Sequence, residues 1–180
     1  MQHKVAGGIN RKPCAFQFHS RGGSMYKHIL VAVDGSETSR RAFDAALELA
    51  KAMGSTLQPF YVIENTPMYF DAPGYDPSIL RNQMIAQGNE LAEQMNKTLR
   101  ERGVQGEMLT GEATSLDDVP TLVLNAAKAN GADLIVMGTH GRRGFQRLIL
   151  GSVAERCVRQ STLPVLLIPS AAGASVTDAE

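Results

Sequence analysis

Apolar residues occur along this chain in two alternating modes, short unbroken runs and longer stretches where they return every third or fourth position. The first run, "HILVAVD" at residues 28–34, stops at Asp-Gly-Ser and has the character of a strand buried on both faces. In the following "SETSRRAFDAALELAKAMG", Phe43, Ala46, Leu47, Ala50 and Met53 fall on one helical face. Ser36 is placed to cap that helix and Gly54 to end it. A second strand is expected over "TLQPFYVIE", residues 56–64. Residues 65–77, "NTPMYFDAPGYDP", are rich in proline, glycine and aromatics and predict a long loop over the sheet edge.

The same alternation continues. Leu80, Met84, Leu91, Met95 and Leu99 carry helical spacing from about Pro77 to Arg100, until Gly103 stops it. A third, weaker strand is expected over "VQGEMLTGE", residues 104–112. The next helix must start at Asp117 or Asp118, because Pro120 is tolerated only in a first turn. It buries Val119, Leu122, Val123, Ala126 and Ala127 and closes at Gly131. "DLIVMG" at residues 133–138 is the fourth strand. A helix from Ser152 to about Gln160 and a fifth strand in "PVLLIP" complete the pattern.

Strands alternating with helices imply an α/β fold, a parallel sheet with helices on both faces. The first and fourth strands are the most completely apolar and so the natural centre of that sheet. If they are neighbours, the winding reverses between them and a crevice opens at their carboxyl ends. Asp34 and Gly138 both end at that crevice.

Composition narrows the class without deciding it. The chain has 180 residues, 43% hydrophobic and 20% charged, enough for one domain with a sizeable core. Its 18 basic and 18 acidic residues balance, so no charge excess points to nucleic acid or to an anionic membrane. No apolar run approaches the roughly 18–20 residues of a membrane span, and the N-terminus lacks a signal-peptide core. Cys14 and Cys157 are far apart, with no metal-ligand spacing, and are expected to be free thiols in a reducing compartment. The expected location is the cytoplasm. Residues 1–24 lack apolar periodicity and any acid, and are expected to form a disordered extension; residues 170–180 are expected to form a flexible tail.

The segment with the most chemistry is "GTHGRRGFQRLILGS", residues 138–152, which holds three arginines and no acid. Gly138, Gly141 and Gly151 are separated by two and then nine residues, and Ser152 follows the last. Glycine at a strand end permits positive φ and lets backbone amides approach a ligand closely. A helix opening at Gly151-Ser152 presents unpaired N–H groups and a dipole that favour an anion. Together these describe a phosphate cradle, although neither common phosphate-loop fingerprint is present. A plain structural alternative stands beside it: Ser152 to Glu155 also has the form of a capping box. Arg142, Arg143 and Arg147 are helpers at most, and His140, with no acid nearby in sequence, is expected to be structural or solvent-facing.

The stretch "MGTHGRRGFQRLILGSV" resembles the G-2x-G-9x-G-[ST] signature of the nucleotide-binding branch of the universal stress proteins. The likeness runs from "KHILVAVDGSETS" to "LPVLLIP", covering nearly all of residues 25–169, which are taken as the domain. The resemblance implies a Rossmann-like, five-stranded parallel sheet in the order 3-2-1-4-5, of the adenine nucleotide alpha hydrolase-like type. It also implies binding of ATP, or of ADP or AMP, with Mg2+ or Mn2+, and a homodimer formed through the last strand, Val165–Ile168. By position, Asp34 would contact the ribose or a metal near the phosphates, directly or through water, and Val62 would offer its backbone to the adenine. Gly138 and Gly141 would border the ribose and phosphates, and Gly151, Ser152 and Val153 would hold the phosphate chain. The implied role is a stress-response regulator or switch. The alternatives are a slow ATPase or self-phosphorylating enzyme, with no evident general base to speed it, and a nucleotide-free dimeric scaffold.

Overall fold

Strand β1, His28–Val33, lies at the middle of the sheet because both of its faces are apolar. Ile29, Val31 and Val33 join one core layer and Leu30 the other, and all four are buried. The computed structural model describes residues 25–64, 77–113, 118–141 and 150–170. The expectations for residues 1–24 with Cys14, the loop after residue 64, Arg142, Arg143, Arg147 and residues 171–180 lie outside them.

After β1 come α1 (Glu37–Met53), β2 (Thr56–Glu64), α2 (Pro77–Arg102) and β3 (Leu109–Ala113). Then follow α3 (Asp118–Ala129), β4 (Leu134–Gly138), α4 (Ser152–Gln160) and β5 (Val165–Ile168). The strands pair in parallel in the order β3-β2-β1-β4-β5. This is the Rossmann-like α/β arrangement, with the winding reversed between β1 and β4. Helices α1 and α2 cover one face through Phe43, Leu47, Met84, Leu91, Met95 and Leu99. Helices α3 and α4 cover the other through Val119, Val123, Ala127, Ala154 and Cys157.

Local chemistry sets the boundaries. The Ser36 side chain accepts the Ser39 amide at the start of α1, and Gly54, at φ 67°, ends the helix with its N–H on the Ala50 carbonyl. Helix α3 begins at Asp118, which places the buried Pro120 in its first turn. Of the positions expected to face inward, Met53, Leu122 and Ala126 are only half-buried.

Strand β3 starts later than its sequence suggests. Residues 104–108 cross beside β2, where the Leu57 amide donates to the Gln105 carbonyl at 2.8 Å. Gly106 makes the crossing feasible: its φ is 147°, and a Cβ there would lie 1.7 Å from the Leu57 carbonyl oxygen. The Met108 amide is then taken by the Asn96 side chain at 2.9 Å, so regular pairing begins only at Leu109.

Cys157 is fully buried, its sulfur 4.0 Å from the Pro120 carbonyl. Burial pushes the thiol up from its ordinary 9.0 to about 11, while the Arg156 charge pulls weakly the other way. The neutral thiol is therefore favoured in the fold, and this contribution is present below pH 9.0 and lost as pH rises toward 11. In a Cys14→Ser background, Cys157 is expected to react with a thiol reagent at pH 8 only as fast as the protein unfolds. Rapid labelling of the native protein would contradict the packing described.

Candidate functional site

The carboxyl end of β1 turns tightly at Asp34, Gly35 and Ser36. One Asp34 carboxylate oxygen, Oδ1, accepts the Ser36 amide at 2.9 Å. The Asp34 amide donates to Ser39 Oγ at 3.3 Å, and that hydroxyl donates to the Ser36 carbonyl at 2.9 Å. Gly35 completes the turn with φ 81°, in the left-handed region that costs other residues roughly 1–2 kcal/mol. The result is a rigid, half-buried carboxylate whose second oxygen, Oδ2, is directed at the exit of β4.

On the β4 side the chain leaves through Gly138, Thr139, His140 and Gly141 and is described again from Leu150. The Gly151 amide donates to the Thr139 carbonyl at 2.7 Å, so the departing and returning strands of the loop are stitched together. The Thr139 amide donates to the Ile168 carbonyl at 2.9 Å, which ties the same residue to the end of β5. Thr139 Oγ1 and His140 Nδ1 lie 3.0 Å apart.

Space is tight around the three spaced glycines. None has a positive φ, so the freedom that glycine permits at a strand end is not used here, while its close approach is. A Cβ on Gly141 would lie 2.6 Å from Asp34 Oδ2, and one on Gly138 would lie 2.7 Å from Thr38 Cγ2. A Cβ on Gly151 would meet the Thr139 carbonyl oxygen at 3.1 Å. These contacts gather the β1–α1 turn, the β4 exit and the start of α4 within van der Waals reach of one another.

The capping box read from Ser152 to Glu155 does not form. Gly151 is the N-cap, in extended conformation at φ −72° and ψ 152°, with no side-chain cap bond. Ser152 is already helical, and Glu155 pairs with Arg159 at 3.0 Å instead of folding back. The first bond of α4 runs from the Glu155 amide to the Gly151 carbonyl, at 2.9 Å. The amides of Ser152, Val153 and Ala154 therefore have no acceptor within the helix. They point out of its positive end.

Val62 sits one residue beyond the last β1–β2 pair, Val33 with Tyr61, and so is level with Asp34 on the neighbouring strand. Its side chain is buried in the layer under α3 and α4, leaving only its backbone for a ligand at this edge. Asp34, Gly138, Gly141, Gly151 and the start of α4 are thus brought together, with Val62 at the flank. Among the described residues, no cluster of three acids, histidines or cysteines could hold a metal ion without help.

The universal stress protein family model matches residues 25–169. This chain belongs to that family. A universal stress protein of Thermus aquaticus is 36% identical over 145 residues, covering 80% of this chain and 99% of its own. The crystal structure of a family protein from Burkholderia pseudomallei aligns with a TM-score of 0.69 at 43% identity, over 82% of this chain and 99% of that one. The Archaeoglobus fulgidus universal stress protein in complex with dAMP shares the fold, with a TM-score of 0.57 at 24% identity, over 79% of this chain and 98% of that one. Among the described residues of this universal stress protein, no helix is long and apolar enough to cross a membrane.

Gly35, Thr38, Ser39 and Thr139 shape the site but were not among the residues expected there. The signal for Gly35 is present in "DGS" directly after a strand, whereas Thr38 and Thr139 act through distant partners that local sequence does not reveal. The site glycines divide into two kinds, and this is checkable by urea unfolding. Gly35→Ala is expected to cost roughly 1–2 kcal/mol and Gly35→Asn clearly less, because asparagine tolerates the left-handed region. Equal costs for the two would show that space, not handedness, demands glycine there.

Proposed function

We propose that this universal stress protein binds an adenine nucleotide, ATP or the related ADP or AMP, in the crevice between β1 and β4. The observation that carries the reading is the close approach of Gly138, Gly141 and Gly151 to the turns around Asp34 and Thr139, set beside the amides at the start of α4 that have no acceptor within the helix. A phosphate chain lying there receives the Ser152 and Val153 amides and the helix dipole. The Gly151 amide is already given to Thr139, so Gly151 serves the cradle by its missing side chain. Gly138 and Gly141 border the ribose and phosphates, Asp34 meets the ribose or a cation, and the Val62 backbone meets the adenine. The dAMP held by the A. fulgidus protein of the same fold supports an adenine nucleotide as the ligand.

The residues present suit a divalent cation only in company with the nucleotide. Asp34 is a single carboxylate with one oxygen engaged by the Ser36 amide, so Mg2+ or Mn2+ would be shared between it and the phosphates, directly or through water. Such an ion would neutralise phosphate charge.

The second part of the reading is a cytoplasmic homodimer formed through β5. That strand is the sheet edge next to β4, and Leu166 on it is 39% exposed. An apolar edge strand invites pairing with another chain, and a second copy is its natural cover. The nucleotide then acts as the state signal of a dimeric regulator in the stress response.

Gentle denaturation followed by mass spectrometry tests the nucleotide, and light scattering on the same sample tests the dimer. Adenine nucleotide is expected in the released fraction, with a particle mass twice that of the chain. Added ATP and Mg2+ at a hundredfold excess over Kd should raise the unfolding midpoint by roughly 5–10 °C. Gly141→Val should abolish that rise, because the added side chain collides with the Asp34 carboxylate and displaces it. No released nucleotide and no thermal shift in the unmodified protein would overturn the reading.

A further inference from the structure

Three segments of the chain meet at Thr38. It is the second residue of α1 and is buried, at 8% exposure. Its Cγ2 methyl lies 2.7 Å from where a Cβ on Gly138 would sit, so the methyl is the surface on which Gly138 rests. Its hydroxyl lies 3.2 Å from the hydroxyl of Ser170. Ser170 follows β5 and stands one residue past the stretch matched by the family model.

The segment that carries Ser170 is held from both sides of the crevice. Arg41, one turn further along α1, donates to the Pro169 carbonyl at 2.7 Å. From the β4 side, the Thr139 amide donates to the Ile168 carbonyl at 2.9 Å. Ile168 to Ser170 therefore form a strap that joins the first turns of α1 to the loop that follows Gly138.

The two branches of the threonine divide the work. A helical threonine has two accessible χ1 rotamers, unlike valine or isoleucine, because its hydroxyl can take a hydrogen bond in more than one direction. The bond to Ser170 selects one of them. In that rotamer the methyl is directed at Gly138.

We propose that Thr38 is a positioning residue of the nucleotide cradle: its methyl sets the depth of Gly138, and its bond to Ser170 keeps the methyl in place. The proposal rests on the adenine-nucleotide reading given above. It makes the strap after β5 part of the site, although β5 itself is the outer strand. Thr38 touches no ligand in this account and acts through Gly138 alone.

Titration with ATP and Mg2+, paired with the unfolding midpoint of the nucleotide-free protein, separates positioning from general stability. Thr38→Ser keeps the hydroxyl and deletes the methyl, and is expected to weaken binding about tenfold with little change in midpoint. Ser170→Ala is expected to weaken binding in the same direction. In a T38V background, where a methyl occupies each branch, S170A should have no further effect. Gly138→Ala should cost less in the T38S background than in the unmodified protein, because the alanine methyl enters the space vacated. If T38S binds as tightly as the unmodified protein, or if the T38S and G138A effects simply multiply, the positioning role is wrong while the nucleotide reading stands. If the unmodified protein binds no nucleotide, both fall together.

Discussion

At the carboxyl edge of the sheet two chain turns approach so closely that an added Cβ would force a neighbouring side chain to shift. Gly141 faces Asp34 Oδ2 and Gly138 faces Thr38, each with less than 3 Å available for an added carbon. This exclusion governs the rest of the site. It follows from the reversal of winding between β1 and β4, which sends α1 and α4 to opposite faces and leaves their starting turns side by side. A larger residue at these positions would press the turns apart.

The constraint links fold stability to site geometry. The same hydrogen bonds that close the turns also aim the functional groups: Ser36 on Asp34 directs the carboxylate, and Gly151 on Thr139 sets the start of α4. The open amides of Ser152 and Val153 are a cost of ending a helix this way unless water or a ligand satisfies them. A helix whose cap is a glycine, with no side chain to fold onto those amides, leaves them available. The chemistry favoured at that point is anionic. A family membership that spans residues 25–169 is consistent with this architecture being inherited as a unit.

Much of the architecture was legible in the sequence, because doubly buried strands leave unbroken apolar runs and helix ends leave capping residues. The bounds of β2 and α4 matched their apolar and polar breaks, and Ser36 and Gly54 terminate α1 as their types suggest. The spacing of Gly138, Gly141 and Gly151 marked turns that meet at the β1–β4 edge; of the two reasons for glycine legible there, positive φ is not used and close approach is. The late start of β3 was hidden because it depends on Gly106 passing the Leu57 carbonyl, a contact between distant segments. The capping box at Ser152 failed by a single residue, since an extended Gly151 takes the cap position first. Thr38 could not have been found locally, as its partners, Gly138 and Ser170, are supplied by β4 and by the segment after β5.

If the proposed nucleotide is bound, its phosphate chain lies on the first amides of α4, beside turns that the glycines allow to close. Amide chemical shifts of the isotope-labelled protein, followed while AMP and then ATP are added, address this placement most directly. The Ser152 and Val153 amides are expected to move strongly, with Gly141 beside them, and to move further with ATP than with AMP. Amides at the opposite end of the sheet, such as those of Ala132 and Leu163, should stay in place. Large shifts at that far end with Ser152 and Val153 unmoved would contradict it.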